Sequence, residues 1–169
     1  MSQVDPVTRS EIVDVYNAYA EGIDSKNWPL VRACFADEIY IDYGDTGADT
    51  GGEGAMRNAE DWLLALQSVI DGFDLTRHSL SNFRFCRTEQ GVECRAYLVA
   101  EHIIFTDPGN KVATDAEVAI VVGEYTNVFA GADAGWKIVS SKLDTQYCRG
   151  NIALFAEAVE RAAATPAAG

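Results

Sequence analysis

Four long runs rich in β-branched and aromatic residues fill the second half of the chain and constrain its fold most strongly. The runs cover residues 76–87, 92–105, 117–129 and 136–147. Short stretches containing Gly, Asp or Asn separate them, and these residues favour turns. Long strands joined by short turns predict an antiparallel meander.

Helical patterns occupy most of the first half. Apolar residues recur every three or four positions over residues 8–24, with Ser10 as the expected N-cap. A short helix is predicted at 28–35, after the capping residue Asn27 and with a proline in its first turn. A third amphipathic helix is predicted at 54–70. Three helices are therefore expected to precede the sheet.

The remaining segments complete one α+β domain spanning the 169 residues, with its core at about 8–151. Residues 38–43 predict a short strand, and the Gly- and Asp-rich stretch 44–54 predicts a mobile loop. An apolar helix at 152–163 precedes a flexible tail at 164–169. Helices followed by a curved antiparallel sheet predict a cone-shaped barrel, in which the sheet wraps around the N-terminal helices and leaves a pocket.

The charge of the chain limits its partners. A net charge of −13 and an isoelectric point near 4.4 disfavour nucleic acid and anionic membranes, because both attract clustered Lys and Arg. A neutral small molecule is the better expectation. The first ten residues lack the pattern of a signal peptide, and no apolar run reaches the roughly 18 residues that span a bilayer. We therefore expect a cytoplasmic protein.

Cysteine spacing and known motifs argue against a bound cofactor. Cys34, Cys86, Cys94 and Cys148 form no CxxC pair and no cluster with histidine, which disfavours structural zinc. Reduced thiols are expected, with a Cys86–Cys94 disulfide across a hairpin as the open alternative. The sequence contains no phosphate-binding loop, GxSxG elbow or HExxH motif. We expect neither a metal nor another cofactor.

The only two histidines offer proton transfer near neutral pH. His78 lies on the first strand of the meander, and His102 lies near the end of the second. His102 shares its strand face with small and apolar residues, so its side chain is expected to point into the core or pocket. Either histidine can equally be a buried structural residue that only forms hydrogen bonds.

Asp24 is a candidate partner for His78. It ends the first helix, where the helix dipole disfavours a carboxylate. One interpretation is that Asp24 accepts the ring N–H of His78, which would fix the tautomer and stabilise the imidazolium. The other is that Asp24 caps the following turn through an Asx hydrogen bond. Periodicity does not decide between them.

Further polar and aromatic residues are candidates for the pocket. Tyr43, at the end of the short strand, can donate a hydrogen bond to a substrate carbonyl or leaving hydroxyl, or can simply pack in the strand. Asn82 follows His78 by four residues and is expected on the same strand face. The aromatic residues expected to bind substrate, or else to fill the core, include Tyr16, Tyr19, Trp62 and Phe105.

Several of these segments resemble a known family, the SnoaL-like branch of the nuclear transport factor two superfamily, and within it scytalone dehydratase-like lyases. The resemblance covers residues 13–151. It implies a cofactor-free cone that forms a homodimer or homotrimer. The matching segments are Ile23-Asp24-Ser25-Lys26-Asn27-Trp28, Ile41-Asp42-Tyr43, Arg77-His78, Gly123-Glu124-Tyr125 and Gly135-Trp136-Lys137-Ile138.

The resemblance also implies roles for individual residues. Asp24 matches the aspartate that partners the catalytic histidine, and His78 matches that histidine. Tyr43 matches a tyrosine that polarises the substrate carbonyl through water, and His102 matches a second pocket histidine. The chain departs from the family at Ile23, where the family has a tyrosine; Tyr19, one helical turn earlier, is a candidate substitute.

These implications favour a dehydratase-type β-elimination on a small neutral substrate, aromatic or polyketide-like, as in aromatic compound catabolism. A resemblance to hexachlorocyclohexane dehydrochlorinase at residues 123–127 and 135–137 points to the same kind of chemistry. An isomerase, a cyclase or a formaldehyde-releasing C–C lyase would fit the same pocket. The cone would also fit a non-catalytic binding or assembly module, because the fold alone does not choose among these.

Overall fold

The computed structural model describes residues 3–44, 54–133 and 135–164. The helices are α1 (Pro6–Asp24), α2 (Trp28–Ala33), α3 (Ala59–Ile70) and α4 (Leu154–Ala164). The strands are β1 (Phe35–Asp42), β2 (Ala55–Asn58), β3 (Leu75–Thr88), β4 (Gly91–Ile103), β5 (Val118–Ala132) and β6 (Gly135–Gly150). They form one sheet in the order β2-β1-β6-β5-β4-β3.

The sheet confirms the predicted meander, because β3, β4, β5 and β6 pair antiparallel in sequence order. The whole sheet is mixed rather than antiparallel throughout, since β1 pairs with β6 in parallel. Register shifts in the β3–β4 and β5–β6 pairs mark bulges, which bend and twist strands. The sheet is curved and remains open, and the predicted α+β cone is confirmed.

The start of α1 and the end of α2 differ from the prediction. α1 begins at Pro6, and its N-cap is Asp5 rather than Ser10, because the Asp5 carboxylate accepts the backbone N–H of Thr8 at 3.0 Å. Proline fits the first turn, where the backbone N–H has no helical partner. α2 ends at Ala33, before residue 35, because the chain already turns into β1 there.

The segment before α3 departs furthest from the prediction. Residues 55–58 form the edge strand β2 against β1 instead of a first helical turn. Asn58 then caps α3, since its side-chain oxygen accepts the backbone N–H of Glu60 at 2.9 Å. Most of the predicted loop at 44–54 lies outside the described part of the chain, which omits residues 45–53. The predicted tail lies outside it from residue 165 onward.

The core fills the concave side of the sheet, between it and α1 and α3. The inward faces of these helices match the predicted apolar positions. Alternate residues of β4 are buried, as predicted from its pattern: Ala96, Leu98, Ala100 and His102. A smaller cluster that includes Phe73 and Leu154 joins α4 to the sheet. No helix in the described ranges is both long and apolar enough to cross a membrane.

All four cysteines are free thiols. In the β3–β4 hairpin, Cys86 lies opposite Glu93, and Cys94 lies opposite Phe85. The two cysteines are therefore one residue out of register, and their side chains point to opposite faces of the sheet. The alternative of a Cys86–Cys94 disulfide is wrong for this reason.

Candidate active site

A cavity of about 90 Å³ lies between the inner face of the sheet and the helices α1, α3 and α4. Most of its wall is aliphatic, including Leu66, Val69, Leu98 and Val121. The predicted residues that line it are Tyr19, Tyr43, His78 and His102. The polar groups of the pocket are therefore few, and they belong to phenol and imidazole side chains.

Asp24 and His78 are in direct contact at the edge of this cavity. The Asp24 Oδ1 atom lies 2.7 Å from the His78 Nδ1 atom, and Asp24 Oδ2 accepts the backbone N–H of His78 at 2.9 Å. Their side chains are only 11% and 7% exposed. The end of α1 and the start of β3 thus bring together two residues that are 54 positions apart in the sequence.

Thr76 is a third member of this arrangement, and it was not predicted from the sequence. Its hydroxyl donates to Asp24 Oδ1 at 2.9 Å, and its side chain is buried. Thr76 precedes His78 by two residues, so both side chains point to the same face of β3. That spacing was the sequence signal that could have placed Thr76 beside His78. It identifies Thr76 as a site residue only in combination with the position of Asp24 facing the strand.

The hydrogen bonds decide which form of each group is present. Burial raises the pKa of Asp24, but the hydrogen bonds from His78 and Thr76 outweigh it and lower the pKa below its ordinary value. The carboxylate is therefore ionised near neutral pH and accepts a hydrogen bond from Nδ1–H of His78. A neutral His78 ring is then protonated at Nδ1, which leaves Nε2 as the free acceptor.

The interpretation of Asp24 as a turn cap is not supported. Asn27 caps α2, since its side-chain oxygen accepts the backbone N–H of Leu30 at 3.3 Å. Lys26 adopts a φ of 55°, and its ammonium donates to the backbone oxygens of Asp71 and Phe73. Within the segment from Asp24 to Trp28, Asp24 thus contacts His78 at the cavity, and Lys26 hydrogen-bonds to the chain at the end of α3.

His102 occupies a different environment in the same cavity. Its ring packs against those of Phe73 and Phe155, with centroids at 5.0 and 4.7 Å, and is perpendicular to the His78 ring at 5.5 Å. Burial, followed by the influence of His78, lowers the pKa of His102 to about 3. His102 is therefore neutral at physiological pH and does not act as a cationic proton donor.

A cluster of four hydroxyl groups forms another polar part of the site. We refer to Tyr19, Tyr43, Tyr125 and Ser141 as the hydroxyl cluster. The Tyr43 hydroxyl lies 3.3 Å from that of Tyr19 and 3.1 Å from that of Ser141. The Tyr125 ring centroid lies 6.3 Å from that of Tyr19 and 5.9 Å from that of Tyr43. Burial raises the pKa of all three phenols, so they are neutral hydrogen-bond donors.

Tyr125 and Ser141 were not predicted as site residues. Tyr125 was visible as an inward tyrosine on the strand face of Val121 and Gly123, because alternate residues share a face. Ser141 had no such signal. Its contact with Tyr43 depends on the parallel pairing of β1 with β6, in which Ser141 lies opposite Ile41.

The expectation that Asn82 shares the face of His78 is wrong. A bulge falls between Ser81 and Arg84, and Asn82 takes a φ of 54° within it. The extra residue breaks the alternation of side chains along β3. Asn82 is exposed and does not line the cavity.

Three predicted aromatic contacts lie outside the cavity lining. Tyr16 is fully buried beneath the sheet, where its hydroxyl donates to the backbone oxygen of Cys94 at 2.8 Å. Trp62 packs its ring against the edge of Tyr43 at 5.0 Å between centroids. Phe105 follows β4 and is half-buried. Tyr16 and Trp62 therefore belong to the core that supports the site.

The structure offers no set of side chains suited to a metal ion within the described residues. Across the parts of the chain that the structure describes, no three His, Cys, Asp or Glu side chains come together as a potential metal site.

Comparison with known proteins places the chain in a family. The family model of the SnoaL-like domain matches residues 7–142. The chain belongs to the SnoaL-like domain family. No curated protein matches this SnoaL-like chain significantly by sequence.

Solved structures share the fold of this SnoaL-like chain. The Kfla4162 protein from Kribbella flavida is 23% identical with a TM-score of 0.72, over 94% of this chain and 98% of that one. A candidate scytalone dehydratase from Novosphingobium aromaticivorans is 20% identical with a TM-score of 0.68, over 85% and 87%. The hexachlorocyclohexane dehydrochlorinase LinA-type3 from Novosphingobium barchaimii is 15% identical with a TM-score of 0.66, over 85% and 90%.

Proposed function

We propose that the chain is a cofactor-independent lyase that eliminates water from a small neutral β-hydroxy ketone. The observation that carries this proposal is the 2.7 Å contact between Asp24 and His78 at a largely apolar cavity. A buried aspartate–histidine pair is an arrangement that takes and returns a proton. The names of two structural relatives, a dehydratase and a dehydrochlorinase, denote eliminations and support the same reaction type.

His78 is the proton acceptor in this mechanism. Its Nδ1–H is held by Asp24, so the unprotonated Nε2 atom removes a proton from the carbon next to the substrate carbonyl. The imidazolium that results is stabilised by the adjacent carboxylate, because the two opposite charges lie close together in a poorly hydrated site. Thr76 and the His78 backbone N–H hold the carboxylate in place through their hydrogen bonds.

The remaining steps need no other reactant. As the C–H bond breaks, negative charge develops on the carbonyl oxygen, where Tyr43 donates a hydrogen bond directly or through water. The C–O bond to the β-hydroxyl then breaks, the double bond forms, and His78 returns its proton so that water leaves. His102 is neutral, so it contributes a hydrogen bond to the departing hydroxyl rather than a proton.

The cavity limits the size and charge of the substrate. Its volume of about 90 Å³ is smaller than the roughly 150 Å³ of an apolar cavity that holds benzene. A single ring therefore already requires a lining side chain to move outward. An ionised Asp24 and a largely aliphatic wall disfavour a negative charge at the His78 end of the cavity. Single-ring neutral ketones are the best match.

The test uses 3-hydroxycyclohexanone, which loses water to give cyclohex-2-enone. The wild type should form the enone, and His78→Gln should be slower by about 10²–10⁴-fold, the usual contribution of general acid–base catalysis. Ser79→Ala, the exposed neighbour on β3, is the matched control and should keep the wild-type rate. Product identity is read by mass spectrometry.

Other products would overturn the dehydratase assignment. An isomer of the substrate would indicate an isomerase or cyclase, and released formaldehyde from hydroxymethyl ketones would indicate a C–C lyase. Binding without turnover would indicate a non-catalytic module. An unchanged rate in His78→Gln would reject the proposed base.

Self-association as a cytoplasmic homodimer or homotrimer is a further expectation. Exposed apolar side chains on the outer face of the sheet support it, since Val99 and Tyr147 flank Val122 in one cross-strand row. Large apolar groups that are adjacent on a surface favour association. Light scattering measures the mass in solution, and a monomer at all concentrations would contradict this expectation.

A further inference from the structure

The hydroxyl cluster and the imidazoles lie at different levels of the sheet. Tyr125 on β5 pairs with Ala96 of β4, whereas His78 pairs with Ala100, which pairs with Val121. Four residues along β5 therefore separate the two levels, about 13 Å between Cα positions. Both Tyr125 and His78 still line the same cavity. A ligand in it has an imidazole towards one end and phenol hydroxyls towards the other.

The phenols of the cluster are not required to fill the core. Tyr19, Tyr43 and Tyr125 are 2%, 6% and 3% exposed, and phenylalanine would fill almost the same space without a buried hydroxyl. The Tyr43 hydroxyl lies within hydrogen-bond distance of two other hydroxyls but carries one proton, so at least one neighbour donates to it. Protons in such a network can turn towards an additional acceptor.

We propose that the hydroxyl cluster binds the oxygen atom of the substrate as it becomes an anion, with Tyr125 as a donor and Ser141 as a positioning residue that acts through Tyr43. The substrates are then single-ring ketones that enter with the carbonyl oxygen towards Tyr125. The carbon to be deprotonated lies towards His78. This orientation rests on the proposed lyase function, whereas the oxygen-binding role of the cluster does not.

The cluster has the properties that binding such an anion requires. Its phenols remain protonated because burial raises their pKa, so they donate hydrogen bonds rather than repel negative charge. Donors fixed in a poorly hydrated site stabilise a developing anion more strongly than water does, because they need no reorganisation. Tyr125 lines the cavity together with Tyr19 and Tyr43, so a ligand in the cavity can reach all three phenols.

The experiment measures binding of 4-nitrophenol, whose colour reports whether it is bound as the phenol or the phenolate. The wild type should bind it as the phenolate at a pH below its pKa in water. Tyr125→Phe should weaken phenolate binding about tenfold or more, the loss expected for a hydrogen bond to a charged group. Tyr16→Phe is the matched control, because it removes a buried phenol hydroxyl outside the cavity.

Ser141→Ala keeps the test decisive if Tyr125→Phe does not fold. It should reduce the fraction of bound 4-nitrophenol that is ionised, a change that a purely structural serine would not cause. Binding only as the neutral phenol, no binding by the wild type, or equal binding by wild type and both variants would overturn the proposal.

The results also separate this inference from the proposed reaction. Phenolate binding that depends on Tyr125, without elimination from 3-hydroxycyclohexanone, would keep the oxygen-binding role and reject the lyase. Elimination that depends on His78, with phenolate binding unaffected by Tyr125 and Ser141, would keep the lyase and reject the role of the cluster.

Discussion

His78 and His102 lie on neighbouring strands and line one cavity, with their ring centroids 5.5 Å apart, but their surroundings differ. His78 is bonded to a carboxylate that accepts hydrogen bonds from three groups. His102 packs against the rings of Phe73 and Phe155. The comparison shows that residue type alone does not assign a role, because the partner and the burial of each imidazole decide it.

The physical consequence concerns which ring can carry a proton. Two imidazoles in close contact do not readily become charged together, since each charge raises the cost of the other. Burial and the neighbouring His78 hold the pKa of His102 at about 3, whereas the His78 ring donates a hydrogen bond to the ionised Asp24. The pocket thus has one proton acceptor and one neutral hydrogen-bonding ring.

The largest expected effect comes from removing the charge beside His78. Asp24→Asn keeps the shape but cannot stabilise the imidazolium, and it permits the other tautomer of His78. The rate of elimination should fall about 10²–10⁴-fold. Steady-state kinetics on 3-hydroxycyclohexanone measure it, and Asp14→Asn, an exposed aspartate of the same helix, is the control. Wild-type rates in Asp24→Asn would remove the distinction between the two histidines.

The second prediction concerns the pH dependence of stability. The folded protein holds the pKa of His102 at about 3, below the ordinary value of 6.5. As the pH falls below 6.5, the unfolded chain takes up a proton that the folded chain does not, so stability decreases towards acid by up to about 1.4 kcal/mol per pH unit. Above that pH, His102 contributes no dependence.

His102→Phe should flatten this part of the curve. Asp24 does not confuse the comparison between about pH 5 and 6.5, since its lowered pKa contributes stability that is lost only at more acidic pH. Urea unfolding of both proteins across that range measures the slope. Equal slopes would show that His102 titrates normally in the folded chain, contrary to its assignment as a neutral ring.

A smaller effect is expected from Thr76→Val, which keeps the shape and removes one hydrogen bond to Asp24. The rate should fall by about three- to tenfold and the free energy of unfolding by about 1 kcal/mol, because one of three donors is lost. Kinetics and urea unfolding measure the two quantities. Thr126→Val, an outward-facing strand threonine, is the control. A rate unchanged from the wild type would indicate that Thr76 does not help to hold the carboxylate.

The smallest effect on activity is expected from Lys26→Met, although Lys26 is only two residues from Asp24 in the sequence. Its ammonium fastens the end of α3 and does not reach the cavity lining. The free energy of unfolding should fall by about 1 kcal/mol while the turnover number stays within about twofold. A large loss of turnover in the folded variant would show that Lys26 supports catalysis together with Asp24, contrary to this account.

The same comparison explains what could be predicted from the sequence. The meander and the inward position of His102 follow from a period of two residues, which is a local property. Asp24 and His78 were paired by the resemblance rather than by any pattern in the residues. Thr76, Tyr125 and Ser141 acquire their roles only from partners on other elements. Alternation along a strand shows which face Thr76 and Tyr125 occupy, but not what they contact.

The wrong predictions also have physical causes. The prediction that Asn82 shares the face of His78 is wrong because one bulge breaks the alternation of side chains along β3. No residue pattern marks that bulge. The strand β2 is defined by its pairing with β1, and its four residues are too few to show a period of their own. The prediction of Ser10 as the helix cap is wrong because the apolar pattern begins only at residue 8, after the observed cap Asp5.

The most direct test of the account is the protonation of the His78 ring, measured by two-dimensional ¹H–¹⁵N NMR of the two imidazoles. At alkaline pH, neutral His78 should carry its proton on Nδ1, with a strongly deshielded signal that is lost in Asp24→Asn. A proton on Nε2, or a spectrum that Asp24→Asn leaves unchanged, would contradict the claim that Asp24 makes His78 the base of this pocket.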